Sequence, residues 1–169
     1  MTTELILVGL VSLFASFLTF FSGFGLGTLL LPVFAVFFPI ETAITLTAIV
    51  HFFNNIFKTT LTYKDINFEI LKRFGIPSIF GAIIGSFVLV KLAIYFDEFN
   101  YKILKINLTT SLLKIIIGAL IFAFTIVEFI NLDKWINASK KTLFFGGIIS
   151  GFFGGVSGHQ GALRTLFLS

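Results

Sequence analysis

The chain has no cysteine, three prolines, two histidines, one tryptophan and few charges of either sign. Without thiols there is neither a disulfide framework nor a thiolate metal site. The histidines, His51 and His159, are too far apart in sequence to form a metal-ligand spacing, and no cofactor or metal is expected. Charged residues occupy 12% of the 169 positions, whereas a soluble domain carries about 25%. A chain of this size cannot hide 25 phenylalanines in one core with so little polar material left for its surface. No lysine or arginine precedes Lys58, and Glu4 stands near the start. The basic leader of a secretory signal is therefore missing, and the first apolar stretch reads as a retained span.

What the chain does have is apolar surface. Hydrophobic residues make up 57%, and the mean hydropathy is +1.05, which places the protein in a membrane with the bilayer as its main partner. The net charge of +4 is carried mostly by lysines in the connections, a pattern of loops at a lipid surface and not of nucleic-acid binding.

Apolar stretches fall at 5–21, 24–38, 43–57, 74–90, 112–130 and 143–156, with a last one starting at Gly161. The first two are separated by "SGFGLG" and would extend about 50 Å as one rod, beyond a hydrocarbon core of about 30 Å. Residues 5–38 therefore read as a broken helix pair, with spans following at about 42–58, 73–91 and 111–130. The basic connection "KTTLTYKDINFEILKR" is expected to be cytoplasmic, residues 91–105 outside, and "NLDKWINASKK" inside. Within the outer connection, "YFDEFNY" is aromatic and amphipathic and suits an interfacial segment.

The chain also repeats itself. "SLFASFLTFFSGFGLGTLLLP" at Ser12 to Pro32 and "GIISGFFGGVSGHQGALRTLF" at Gly147 to Phe167 each run an apolar helix into Ser-Gly, a glycine-punctuated turn and a second apolar helix. Aligning Ser22 with Ser157 gives a period of about 135 residues. Paired interrupted spans of this kind point to a transporter's binding site. Charge placement puts the N-terminus outside and the start of the second repeat, at Lys140 and Lys141, inside. The expected fold is thus an all-α membrane protein, a polytopic helical bundle with two inverted repeats, each opening with a broken helix pair. Residues 1–139 form the first repeat and 140–169 begin an incomplete second one.

The hinges "SGFGLGTLLLP" and "GFFGGVSGHQGALR" resemble those of the sulfite exporter TauE/SafE family of integral membrane permeases. The resemblance implies movement of small sulfur-containing anions, such as sulfite or organosulfonates, across the bacterial inner membrane by two related halves. It also implies a complete second half, so this chain looks like a truncated copy or fragment. A break in a membrane helix frees backbone N–H groups, and a half-helix N-terminus there suits an anion. The expected pocket draws on Ser22, Gly23, Gly25 and Gly27 from the first hinge. From the second it takes Ser157, Gly158, His159, Gln160 and Gly161, with Arg164 as a counter-charge. The competing roles are structural: His159 capping freed carbonyls, Arg164 anchoring at the interface.

Thr47, His51, Asn54, Lys58 and Thr62 recur at three- and four-residue spacings and share one side of a helix, with Asn55 just beside them. Polar groups at membrane depth usually face a cavity or the bundle interior, so this stripe reads as a polar pathway. Alternatively its later members form only the wet end of the helix, with Lys58 snorkelling. Two other readings stand. "GVSG" at residues 155–158 looks like the serine motif of rhomboid-type intramembrane proteases, although the base histidine is not where that chemistry needs it. A small-residue face of Gly147, Gly151, Gly154 and Gly158 would suit a non-transporting chain that acts through helix association, homo-oligomers included. The inverted arrangement predicts that Thr2 and Ser139 label from opposite sides of the membrane; labelling from one side contradicts it.

Overall fold

A computed structural model describes residues 2–22, 26–104, 106–130 and 139–168. Helix α1 (Thr2–Ser22) ends at the first hinge, and α2 (Leu26–Phe37) begins just beyond it. At about 1.5 Å per residue α2 is too short to cross a bilayer. It is instead the centre of the core: Leu26, Leu30, Leu31 and Phe34 are buried against Ile40, Ala43 and Ile44 of α3 (Ile40–Thr62), and the same cluster takes in Leu113, Ile117 and Val156 from later helices. Pro32 inside α2 cannot donate to the Thr28 carbonyl, an interruption tolerated in membrane helices because neighbouring elements satisfy the freed group. Pro39 and Glu41 mark the start of α3.

The basic connection is mostly helical. α3 continues through Thr62 into a 3-10 turn at Tyr63–Asp65, and Asn67 then caps α4 (Phe68–Ile70) by accepting from the Glu69 and Ile70 amides. Arg73 and Glu69, one turn apart, pair at 2.9 Å. α4 passes through a π turn at Leu71–Gly75 into α5 (Ile76–Tyr95), making one helix over Phe68–Tyr95. Polar residues interrupt the apolar run here, and the Asn67 cap and the i,i+4 ion pair sustain the helix.

After α5 comes a β-hairpin, β1 (Glu98–Ile103) with β2 (Ile106–Ser111), paired antiparallel with Tyr101 opposite Leu108. β2 leads directly into α6 (Leu112–Ile130). α7 (Lys140–Ser157) is capped by Ser139, whose hydroxyl accepts from the Thr142 amide at 3.1 Å, and α8 (Gly161–Leu168) folds back on it. Among the described residues two helices, Ile40–Asp65 and Phe68–Tyr95, are long and apolar enough to cross a membrane, and three shorter apolar helices accompany them. The fold is all-α in class, with the hairpin as its β element.

The tightest packing joins α5 to α7 through glycine. A methyl added at Gly147, Gly151 or Gly155 would fall on the carbonyl oxygen of Phe74, Ser78 or Ala82; one added at Gly81 or Gly85 would fall on that of Ile148 or Phe152. The two backbones are in contact, the arrangement by which small residues bring helices together where no hydrophobic force acts between them. The expected face of Gly147, Gly151, Gly154 and Gly158 is therefore corrected. The contact follows the four-residue row, inclined to the helix axis, so Gly155 takes part. Gly154 instead faces the Gln160 side chain and Gly158 faces Ile44.

Gly151→Ala should lower stability by about 1–3 kcal/mol through overpacking, while Gly118→Ala, with open space at its Cβ, should have little effect. Unfolding of both variants in detergent micelles checks this, and equal stability would contradict the close packing.

Candidate functional site

The second hinge is built by the end of α7. Gly158 has φ +69°, the left-handed conformation that glycine adopts without a Cβ penalty, and its N–H donates to the Gly154 carbonyl at 2.8 Å. His159 and Gln160 then bridge to Gly161, the first residue of α8. The Ser157 hydroxyl donates to the Phe153 carbonyl at 2.7 Å and accepts from the His159 amide at 3.3 Å. Its hydrogen-bonding capacity is turned inward, onto its own chain.

His159 is 1% exposed. Its ring stacks on Phe124 of α6, with centroids 5.4 Å apart and planes 15° from parallel. The Thr28 hydroxyl lies 3.3 Å from its Nδ1 and 3.4 Å from its Nε2. Gly27 sits directly against the same residue: a Cβ there would come within 2.8 Å of His159 Nδ1 and 3.1 Å of the Gly158 carbonyl. The start of α2 is thus seated on the second hinge, and glycine at position 27 permits the approach. Of the other first-hinge residues, Gly23, Gly25 and the Ser22 side chain lie outside the described residues; Ser22 is the last residue of α1.

The Gln160 amide donates to the Ser78 hydroxyl of α5 at 2.6 Å, which ties the hinge to the glycine-packed pair and leaves its second N–H to another acceptor. Its side chain packs over Gly154. Ser78 and Thr28 both escaped sequence reasoning. The available signal was weak: each is a lone small polar residue in an otherwise apolar stretch, beside a proline or a glycine.

The polar stripe of α3 divides. Ile44 touches Gly158, which sets this face of α3 toward the hinge. Thr47 is buried and donates to its own Ala43 carbonyl at 2.8 Å. His51, a turn further on, has a buried Nε2 without a hydrogen-bond partner among the described residues. Asn54 and Lys58 are half-buried, whereas Asn55 is exposed and stands off the stripe. Arg164 lies on α8, where its amide donates to the Gln160 carbonyl at 3.0 Å. His51 lies near His159, Arg164 and Lys58, and Lys58 near Arg164, so nitrogen-bearing side chains of α3, the hinge and α8 share one region. The His159 ring meets Thr28 and Phe124, while its amide donates to the Ser157 hydroxyl.

Apolar helices interrupted by a buried polar hinge and packed through glycine are the architecture of a helical membrane protein. The chain belongs to the sulfite exporter TauE/SafE family, whose model matches residues 8–169. That family is one of membrane permeases. No curated protein and no solved structure matches the chain.

The Gln160–Ser78 bond predicts a coupling energy of about 1 kcal/mol between Gln160→Leu and Ser78→Ala in a double-mutant cycle of unfolding. Strictly additive effects would show that the two side chains do not act together.

Proposed function

We propose that the protein is a permease for small sulfur-containing oxyanions, of the sulfite or organosulfonate type, in the bacterial cytoplasmic membrane. The observation that carries this reading is the seating of Gly27 and Thr28 on Gly158 and His159, two glycine-opened segments 131 residues apart in sequence at the Thr28–His159 contact. An anion at that junction would meet the His159 imidazole, with the cationic side chains of Arg164 and Lys58 nearby. Thr47, His51, Asn54 and Lys58 line its route along α3; Ser157 and Gln160 hold the hinge in shape through the Phe153 carbonyl and the Ser78 hydroxyl and border the junction. We further propose a multi-pass chain whose two repeats, divided near residue 139, are inverted, so that the hinges meet from opposite faces. No enzymatic step is assigned to it.

The alternative of a chain that acts only through helix association loses its main support, because α5 already occupies the glycine face of α7 within the same chain.

The test is uptake of radiolabelled sulfite by liposomes reconstituted with this chain. His159→Ala should reduce uptake by about tenfold or more, since a hydrogen bond to a charged oxygen is worth about 1.5–3 kcal/mol. Uptake unchanged in a folded His159→Ala variant would overturn the assignment of the site.

A further inference from the structure

The β-hairpin between α5 and α6 plays no part in the site described above, and its two faces differ in chemistry. Because side chains alternate along a strand, Phe99, Tyr101 and Ile103 share one face with Leu108, which pairs with Tyr101. Glu98, Asn100 and Lys102 share the other face with Asn107 and Thr109. The polar face is internally bonded: Thr109 donates to Asn100 Oδ1 at 2.7 Å, and Lys114 reaches Glu98 at 2.6 Å. Among the described residues no such partner covers the apolar face, where Phe99, Tyr101, Ile103 and Leu108 are all exposed.

The tip repeats this contrast. Leu104 is 90% exposed and has φ +48°, a left-handed conformation that a tight turn normally reserves for glycine or asparagine. A two-stranded hairpin is marginal in water by itself, and this one spends its turn position on a leucine that gains nothing from water.

We propose that this hairpin lies in the lipid–water interface, with the Phe99, Tyr101, Ile103, Leu104 and Leu108 face against the acyl-chain boundary and the Asn100 and Thr109 face toward water. Connectivity places it there: β1 begins three residues after the end of α5, and β2 runs without a break into α6, so the hairpin sits where two apolar helices meet the membrane surface. Lys102 is exposed on the polar face, where it can reach lipid headgroups. A hairpin with one aromatic and aliphatic face and one polar face has the chemistry of an interfacial anchor.

The chain has no cysteine, so single-cysteine variants are unambiguous. Tyr101→Cys, Leu104→Cys, Asn100→Cys and Thr109→Cys would each carry an environment-sensitive fluorophore in liposomes of phosphatidylcholine and phosphatidylglycerol. Doxyl-labelled lipid should quench positions 101 and 104 about twofold or more strongly than 100 and 109. Equal quenching at all four positions overturns the proposal. So does absence of quenching, whether the labels are open to aqueous iodide or are shielded from it by a second copy of the chain. For the unaltered chain, a photoreactive group on a lipid acyl chain should mark Tyr101 and Leu104; labelling of the α-helices without the hairpin overturns the proposal equally.

Discussion

A backbone that breaks inside lipid must find partners for its freed N–H and C=O groups within the protein. Around that constraint the rest of this structure is arranged. Gly158 turns α7 back and returns its N–H to the Gly154 carbonyl; Ser157 donates to one backbone group and accepts from another; α2 is lodged against the result. The helix that carries the first hinge's second limb is also the one most deeply buried, because an element too short to cross the bilayer must be enclosed by others. Polar interior and apolar exterior follow from the same requirement.

Rigidity and opening are divided between the two faces of α7. One face is locked to α5 by glycine packing, with the backbones too close to admit a methyl group. The other carries the hinge, α8 and the basic side chains. Gln160 connects them through Ser78. The hinge is thereby fixed to the closest-packed pair of helices, and its imidazole is oriented by a ring stack on α6 and a hydroxyl on α2. Pre-organisation of this kind limits how much ordering a bound solute must impose.

Much of this was legible in the sequence. Composition identified the bilayer as solvent, and rod length against hydrocarbon thickness required a break between residues 5 and 38. His159 and Gly158 stood out because a polar cluster in a glycine turn has few roles in lipid. The partners of these residues were not legible, because pairing across more than 80 residues leaves no local periodicity. Ser78 for Gln160 and Thr28 for His159 are such cases. The choice of Gly155 over Gly154 depended on the inclination of the contact, a property of two helices together. The hairpin was readable as amphipathic but not as a strand pair: Leu104, which takes the left-handed turn conformation, is not a usual turn residue.

The central claim is that the two hinges meet within the bilayer and that the meeting place receives an anion. Solid-state NMR in lipid bilayers, with ¹³C-threonine and ¹⁵N-histidine in the intact chain, tests it most directly, since only two histidines contribute. A dipolar contact between Thr28 and the His159 ring, perturbed when sulfite is added, is the result predicted. Absence of that contact, or a contact indifferent to sulfite, would contradict the account.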